Sequence, residues 1–243
     1  MKYASKSLTG RRKDNEDGCL IPKRETTSPL VAVSDGMGGH AAGAVASSLT
    51  LSTLAEELTD LHGADPLSAL ARAVQHVNLT VYRAAMDDRA LTGMGATLVC
   101  ALLTDKRFLV ANVGDSRLYH YAAQSLTQIT VDHSYVQMLF DAGAITQEDM
   151  RTHPQRNLIT RAIGIGLSVE TDIFDCEWMQ DEILLLCSDG LSGVLTDDEI
   201  RAILDEPLTL EEKCEKLVQS AFDSGSADNI TVVLAQNEGG DCA

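Results

Sequence analysis

The sequence predicts an α+β chain in which antiparallel sheets pack together beneath blocks of helix. It does so on two observations. Short apolar runs recur at 30–33, 97–103, 107–113, 117–121, 173–178, 183–187 and 230–235, and the tight links between several of them favour antiparallel pairing. The longer helical patterns fall in two groups, 41–84 and 196–222. No repeat, low-complexity tract or linker divides the 243 residues, so one domain spanning 1–243 is expected.

Residues 3–9 alternate weakly, which suits an edge strand. Residues 10–17, G-R-R-K-D-N-E-D, place six charges in eight positions, as in a solvated turn. Strands at 19–22 and 30–33 flank a hairpin-like loop containing Thr26, Thr27 and Ser28. Residues 41–61 read as a helix with Val45, Leu49, Leu54, Leu58 and Leu61 on its apolar side. Asp65-Pro66 opens a second helix, proline in its first turn, with a stripe of Leu67, Leu70, Ala73, Val74, Val77, Val81 and Ala84. After Gly93 and Gly95, the strands 97–103, 107–113 and 117–121 follow as a meander joined by T-D-K and G-D-S. Residues 132–167 change character, with D-H-S, a short helix over 135–142, Gly143 and H-P-Q-R. No sheet partner can be assigned to them, so they read as an inserted flap. Strands at 173–178 and 183–187 follow, then a helix opened by the capping box Thr196 to Glu199, a helix over 208–222 and a closing strand at 230–235.

The net charge of −17 argues against a nucleic-acid partner. No apolar run approaches the roughly 18 residues of a membrane span, and the Met1-Lys2-Tyr3 start does not resemble a signal peptide. Six cysteines without C-x-x-C spacing signal neither zinc nor a redox pair, and a reducing cytoplasm is the expected setting.

The chemistry is concentrated at strand ends. Residues 31–40, V-A-V-S-D-G-M-G-G-H, run from an apolar strand into Ser34, Asp35 and Gly36. Residues 184–190, L-L-L-C-S-D-G, repeat the device at Asp189. Gly114-Asp115-Ser116 and Asp228-Asn229 are a third and fourth acidic joint. Four aspartates at strand ends would be costly to bury unpartnered; gathered together, they would repel one another and call for cations. Such hard oxygen donors suit magnesium or manganese better than zinc.

The segments R-x-x-N-E-D (Arg12 to Asp17), S-D-G-M-G-G-H, G-M-G-A-T (Gly93 to Thr97), N-V-G-D-S-R, D-H-S, S-D-G-L and D-N-I-T-V-V resemble, in order and spacing, the metal-dependent serine/threonine protein phosphatases of the type 2C (PPM) family in its compact bacterial form. The resemblance runs from about residue 3 to 236. It implies a four-layer α-β-β-α sandwich, two antiparallel sheets flanked by helices, with metals in a cleft at one edge. It also implies hydrolysis of phosphoserine and phosphothreonine on proteins, with Mn²⁺ or Mg²⁺ as two core ions plus a weaker third. Asp35 would bridge the core ions, the Gly36 carbonyl would bind one of them, and Asp189 and Asp228 would hold the other. Asp115 would bind the third ion near the flap, and Arg12 would grip the substrate phosphate. Glu16, Asp17 and Asn229 would support the ligands and orient bound water.

Two divalent ions outweigh three aspartates in charge, so a bridging water would lose its proton near neutral pH and attack phosphorus directly. Many eukaryotic members read D-G-H-G-G, with a histidine proposed to protonate the leaving group; here Met37 stands in its place, and a thioether cannot donate a proton. His40, His133 and His153 have no clear claim to the role. The acid is left open, a water on the third ion being the remaining candidate. The implied partners are phosphoproteins of a serine/threonine kinase, with no nucleic acid and no membrane, and the chain is expected to be a monomer. A phosphatase of an anti-anti-sigma-type regulator and a non-catalytic phosphoprotein binder are the alternatives.

Overall fold

The apolar runs lack a polar face because the central strands are buried on both sides. The computed structural model describes residues 1–22, 29–39, 42–59, 61 and 64–239. In chain order the elements are β1 (Lys2–Leu8), β2 (Asp17–Leu20), β3 (Leu30–Met37), α1 (Ala42–Glu57), α2 (Pro66–Asp87), a 3-10 turn (Arg89–Leu91), β4 (Gly95–Ala96), β5 (Leu98–Leu103) and β6 (Arg107–Val113). Then come β7 (Arg117–Ala122), β8 (Ser125–Gln128), α3 (Tyr135–Asp141), α4 (Gln147–Thr152), β9 (Asp172–Glu177), β10 (Ile183–Cys187), α5 (Asp189–Ser192), α6 (Asp197–Leu204), α7 (Leu210–Asp223) and β11 (Ile230–Gln236).

One sheet is ordered β1-β11-β10-β7-β8 and the other β2-β3-β5-β6-β9, with β4 paired to β3. Every pairing between these strands is antiparallel. The period of two then sorts the side chains into layers. Val31 and Val33 of β3, Val99 and Ala101 of β5, Leu184 and Leu186 of β10 and Val233 and Ala235 of β11 meet between the sheets. The alternate residues face outward: Leu30, Ala32 and Cys100 under α1 and α2, and Leu185, Cys187, Val232 and Leu234 under α6 and α7. This is the expected four-layer sandwich of two antiparallel sheets flanked by helices.

The meander is half right. β5 and β6 form the expected hairpin over T-D-K, but β6 and β7 lie in different sheets. The free edge of β6 is taken by β9, from Arg107 opposite Glu177 to Asn112 opposite Asp172. The chain therefore leaves through Gly114, whose φ of 109° no other residue adopts comfortably. It enters the second sheet between β10 and β8. G-D-S is a crossing between sheets, not a turn.

Helix α1 also differs from its pattern. Val45 is 39% exposed, whereas the small residues Gly43, Ala46, Ser47 and Thr50 are buried. Small side chains let the helix lie almost on β3, and a Cβ on Gly36 would come within 2.0 Å of the Gly43 carbonyl oxygen. The α2 stripe holds at Leu70, Ala73, Val74, Val77 and Val81, all buried, while Leu67 is exposed. Asp65 caps that helix by accepting from the Ser68 N–H, and the Thr196 capping box forms as expected. Strand β3 runs on to Met37, so Asp35 sits inside the ladder instead of beyond its end. Thr26, Thr27, Ser28 and His40 lie outside the described residues.

Residues 132–167 do have β partners, contrary to expectation: Ser134 bridges Ile159, and Ile163 bridges Ala96. The stretch carries α3 and the unexpected α4. Its far end is held by Asn78 on α2, which accepts from the Gly164 N–H at 2.9 Å and donates to the Gly166 carbonyl at 2.9 Å. Asn78 is fully buried, so Asn78→Ala leaves two backbone groups without partners. Urea denaturation should show a loss of about 2 kcal/mol, with the segment after residue 159 becoming sensitive to protease first.

Candidate active site

The strand register delivers the acidic joints to one end of the sandwich. Asp17, the first residue of β2, lies directly opposite Asp35 in the ladder. β6 ends beside the start of β5, with Val113 opposite Leu98, so Thr97 and Gly114 share that end. In the second sheet Cys187 pairs with both Arg117 and Val232, which brings Asp115, Asp189 and the approach to β11 together. Asp189 opens the short helix α5. The two D-G steps are needed for close approach: a Cβ on Gly190 would stand 1.8 Å from the Asn229 carbonyl oxygen. Glycine there, as at Gly36, lets backbone pass where a side chain could not.

A cleft of about 290 Å³ results, lined among others by Arg12, Glu16, Asp35, Gly36, Asp115, Asp189, Asp228 and Asn229. All the expected core residues therefore converge except Asp17, which stands just behind the lining. A larger hollow of about 1400 Å³ lies at the opposite end of the sandwich, around Met1, Tyr3, Ile183 and Lys213, and none of these aspartates reaches it.

Electrostatics set the character of the cleft. Burial, then the charges of Asp17, Asp189, Asp115 and Asp228, push the Asp35 carboxyl well above the usual carboxylate range. Asp115 is raised likewise by burial and by Asp189 and Asp132. Burial and Asp228 lift Asp189 to about 7, and burial lifts Asp17 to about 6 against the hydrogen bonds it accepts. Oδ1 of Asp17 and Oδ1 of Asp189 are buried and find no hydrogen-bond partner among the described residues. Orphaned carboxylate oxygens in a cleft without histidine or cysteine among its described lining residues fit hard divalent cations. No three His, Cys, Asp or Glu side chains among the described residues form a ready-made cage. Mutually repelling carboxylates explain that, and an ion that keeps several waters needs only one or two of them.

The supporting residues act on backbone as much as on the cleft. Asn229 accepts from the Glu16 N–H at 2.8 Å and donates to the carbonyls of Thr9 and Asp14 at 2.9 and 3.0 Å. Its amide thus clamps the loop that carries Arg12. Asp17 accepts from Ser188 Oγ at 2.7 Å, and Ser188 accepts from the Thr231 N–H at 3.0 Å. Arg12 donates to Asp228 Oδ2 at 2.7 Å while its side chain stays 55% exposed. Such a pair is worth at most about 1 kcal/mol, so an incoming phosphate can compete for the guanidinium.

Met37 lines the cleft, and no histidine among the described residues does. His133 is buried behind the Gly114 turn, accepting from the Gly114 N–H at 3.1 Å through Nδ1 while Nε2 faces Asp172 at 3.2 Å. His153 packs against Tyr135 on the 132–167 segment, with ring centroids 6.2 Å apart. Neither histidine is placed to protonate a leaving group. Sequence reading passed over the ion pair behind Asp115, in which Arg117 grips both Asp132 oxygens at 2.9 and 2.7 Å and donates to Tyr119 at 2.9 Å. Both partners sit in recognised segments, N-V-G-D-S-R and D-H-S, but their pairing is visible only in three dimensions.

A family model for protein phosphatase 2C matches residues 7–236. The chain belongs to the protein phosphatase 2C family. It is 38% identical over 231 residues to a serine/threonine phosphatase, stp, of Listeria monocytogenes, covering 93% of this chain and 92% of that one. The crystal structure of the Mycobacterium tuberculosis serine/threonine phosphatase PstP/Ppp superposes with a TM-score of 0.90 at 40% identity, over 98% of each chain. A PstP catalytic domain in complex with two manganese ions matches with a TM-score of 0.87 at 38% identity, over 97% of each chain. The protein phosphatase 2C fold is thus present throughout the sandwich.

Removing one charge from the cleft should relieve the repulsion between its carboxylates. Asp189→Asn is expected to raise the melting temperature of chelator-treated protein by a few degrees, since about 1 kcal/mol corresponds to roughly 2–4 °C at this size. The same variant should lose most of the stabilisation that added manganese gives the unaltered chain, as read by thermal shift.

Proposed function

We propose that this chain hydrolyses phosphoserine and phosphothreonine on proteins with the help of two divalent ions. The convergence of Asp35, Asp189 and Asp228 in one cleft, with Arg12 at its rim, is the observation that carries this reading. Asp35 and the Gly36 carbonyl would hold one ion, Asp35, Asp189 and Asp228 the other, and Asp115 a weaker third. Manganese is the expected metal, by likeness to the PstP domain in complex with two manganese ions, with magnesium as the alternative. Bound there, the ions offset the crowded carboxylates and supply Lewis acidity that activates water near neutral pH.

The residues of the chain supply position and charge. Arg12 presents a planar fork of N–H donors to phosphate oxygens, which lysine could not match. Asn229 keeps that arginine's loop against the cleft, and Asp17 and Glu16 stand behind the ligands. Residues 1–243 would act as one phosphatase domain, with 132–167 as a flap beside the cleft. The substrates would be phosphoproteins made by a serine/threonine kinase, and the working form a monomer. Among the described residues no helix is long and apolar enough to cross a membrane. No expected ligand position has been replaced, so a non-catalytic phosphoprotein binder gains no support, and nothing in the cleft favours an anti-anti-sigma-type substrate.

Turnover of phosphothreonine and phosphoserine peptides should require added Mn²⁺ or Mg²⁺ and vanish in chelator. Phosphate release from metal-stripped protein at the full rate would overturn the reading. Arg12→Ala should lower kcat/KM about ten- to a hundredfold, the equivalent of losing one charge-assisted hydrogen bond. Wild-type kinetics of that variant on small phosphoesters would remove Arg12 from the site.

A further inference from the structure

Thr97 stands at the meeting point of three parts of the site. Its backbone N–H donates to the Asp35 carbonyl at 2.8 Å, and its Oγ1 accepts from the Asp35 N–H at 2.9 Å. One threonine therefore holds both backbone groups of the aspartate central to the cleft. The same Oγ1 lies 2.7 Å from Ser116 Oγ, next to Asp115 in the crossing between the sheets. The Thr97 carbonyl accepts from Ser34 Oγ at 2.7 Å, which ties in the residue before Asp35 as well. Ser34, Thr97 and Ser116 are all buried, the two serines fully, so these bonds are shielded from bulk water.

The neighbouring backbone is built around this contact. A Cβ on Gly114 would lie 2.7 Å from both Cβ and Cγ2 of Thr97, so the glycine of G-D-S makes room for the threonine. On the other side, Ala96 exchanges two backbone hydrogen bonds with Ile163, at 3.1 and 2.8 Å, and so fastens the 132–167 segment one residue away. A hydroxyl is required at Thr97 for a definite reason: removing it leaves the Asp35 N–H without its acceptor and Ser116 without its partner.

We propose that Thr97 is a positioning residue, whose hydroxyl, paired with Ser116, fixes the spacing between Asp35 and Asp115 and so holds in register the ion sites these two aspartates serve. Thr97 lines the cleft beside these aspartates, and in this role its hydroxyl acts through Asp35 and through the Gly114–Ser116 crossing. The inference rests on the metal-dependent phosphatase reading above.

The test uses the full chain and two measurements: the Mn²⁺ dissociation constant by isothermal titration, and kcat and KM for a phosphothreonine peptide. Thr97→Val keeps the shape and deletes the hydroxyl. Loss of a group that orients a metal ligand commonly costs about 10- to 100-fold in affinity or activity. Thr97→Val should show a loss of that size in Mn²⁺ affinity, with kcat reduced and the peptide KM at saturating manganese little changed. Thr97→Ser, which restores the hydroxyl without the methyl, should return within about threefold of the unaltered chain. Unchanged Mn²⁺ affinity in Thr97→Val overturns the proposal. So does a Thr97→Ser variant as damaged as Thr97→Val, because the effect would then belong to methyl packing on Gly114. Should Thr97→Val fail to fold, Ser116→Ala decides from the other side of the pair, where a several-fold weaker Mn²⁺ affinity supports the proposal and an unchanged one overturns it. An unaltered chain that binds Mn²⁺ but releases no phosphate defeats the phosphatase reading alone, and the Mn²⁺ titrations still decide Thr97. An unaltered chain that binds no Mn²⁺ defeats both.

Discussion

Repulsion between carboxylates at one end of two stacked sheets is the constraint that organises this molecule. Burial first, and then the charges of neighbouring carboxylates, raise the proton affinity of Asp17, Asp35, Asp115 and Asp189. A free chain would let them drift apart. The sandwich prevents this by fixing Asp35 inside a ladder, Asp189 at the head of a helix, and Asp115 in a crossing that both sheets pin down. The apolar layer between the sheets, with Val31, Val33, Leu184, Leu186 and Val233 at its centre, provides the stability against which this strain is held.

Glycine and hydroxyl residues translate that constraint into local structure. Gly36 and Gly190 follow their aspartates because neighbouring backbone passes where a Cβ would sit. Thr97, Ser116 and Ser188 supply compact hydroxyls that bond inward to strand ends or to Asp17, leaving the carboxylates free to face the cleft. The polar groups around the site are therefore divided between those that build it and those left facing the cleft.

The sequence was most readable where local pattern and tertiary role coincide. The D-G joints, the Asp65-Pro66 helix start and the Thr196 capping box are local chemistry, and each forms as its residues require. The stripe over 41–61 holds at Leu54 and Leu58 but fails at Val45, because close packing of the first turns of α1 on β3 favours small residues, which carry no hydrophobic signal. The second half of the meander differs because a three-residue link fits a hairpin and a sheet crossing equally well. Only the edge already claimed by β9 decides between them. The Arg117–Asp132 pair and the Thr97 hydroxyl contacts join residues distant in the chain, and no periodicity marks such bonds.

The position of β11 has a consequence for the life of the chain. Among the described residues it is the last strand in chain order, yet it lies between β1, the first, and β10. Asp228, the partner of Arg12, arrives just ahead of it. Pairing β1 with β11 closes a loop of more than 200 residues, the kind of long-range contact that slows formation of β structure. A nascent or C-terminally clipped chain lacks both the strand that seals its sheet and one wall of its cleft. Closing the sheet and closing the cleft are thus a single event, since the same short stretch supplies the joining strand and the Asp228 wall.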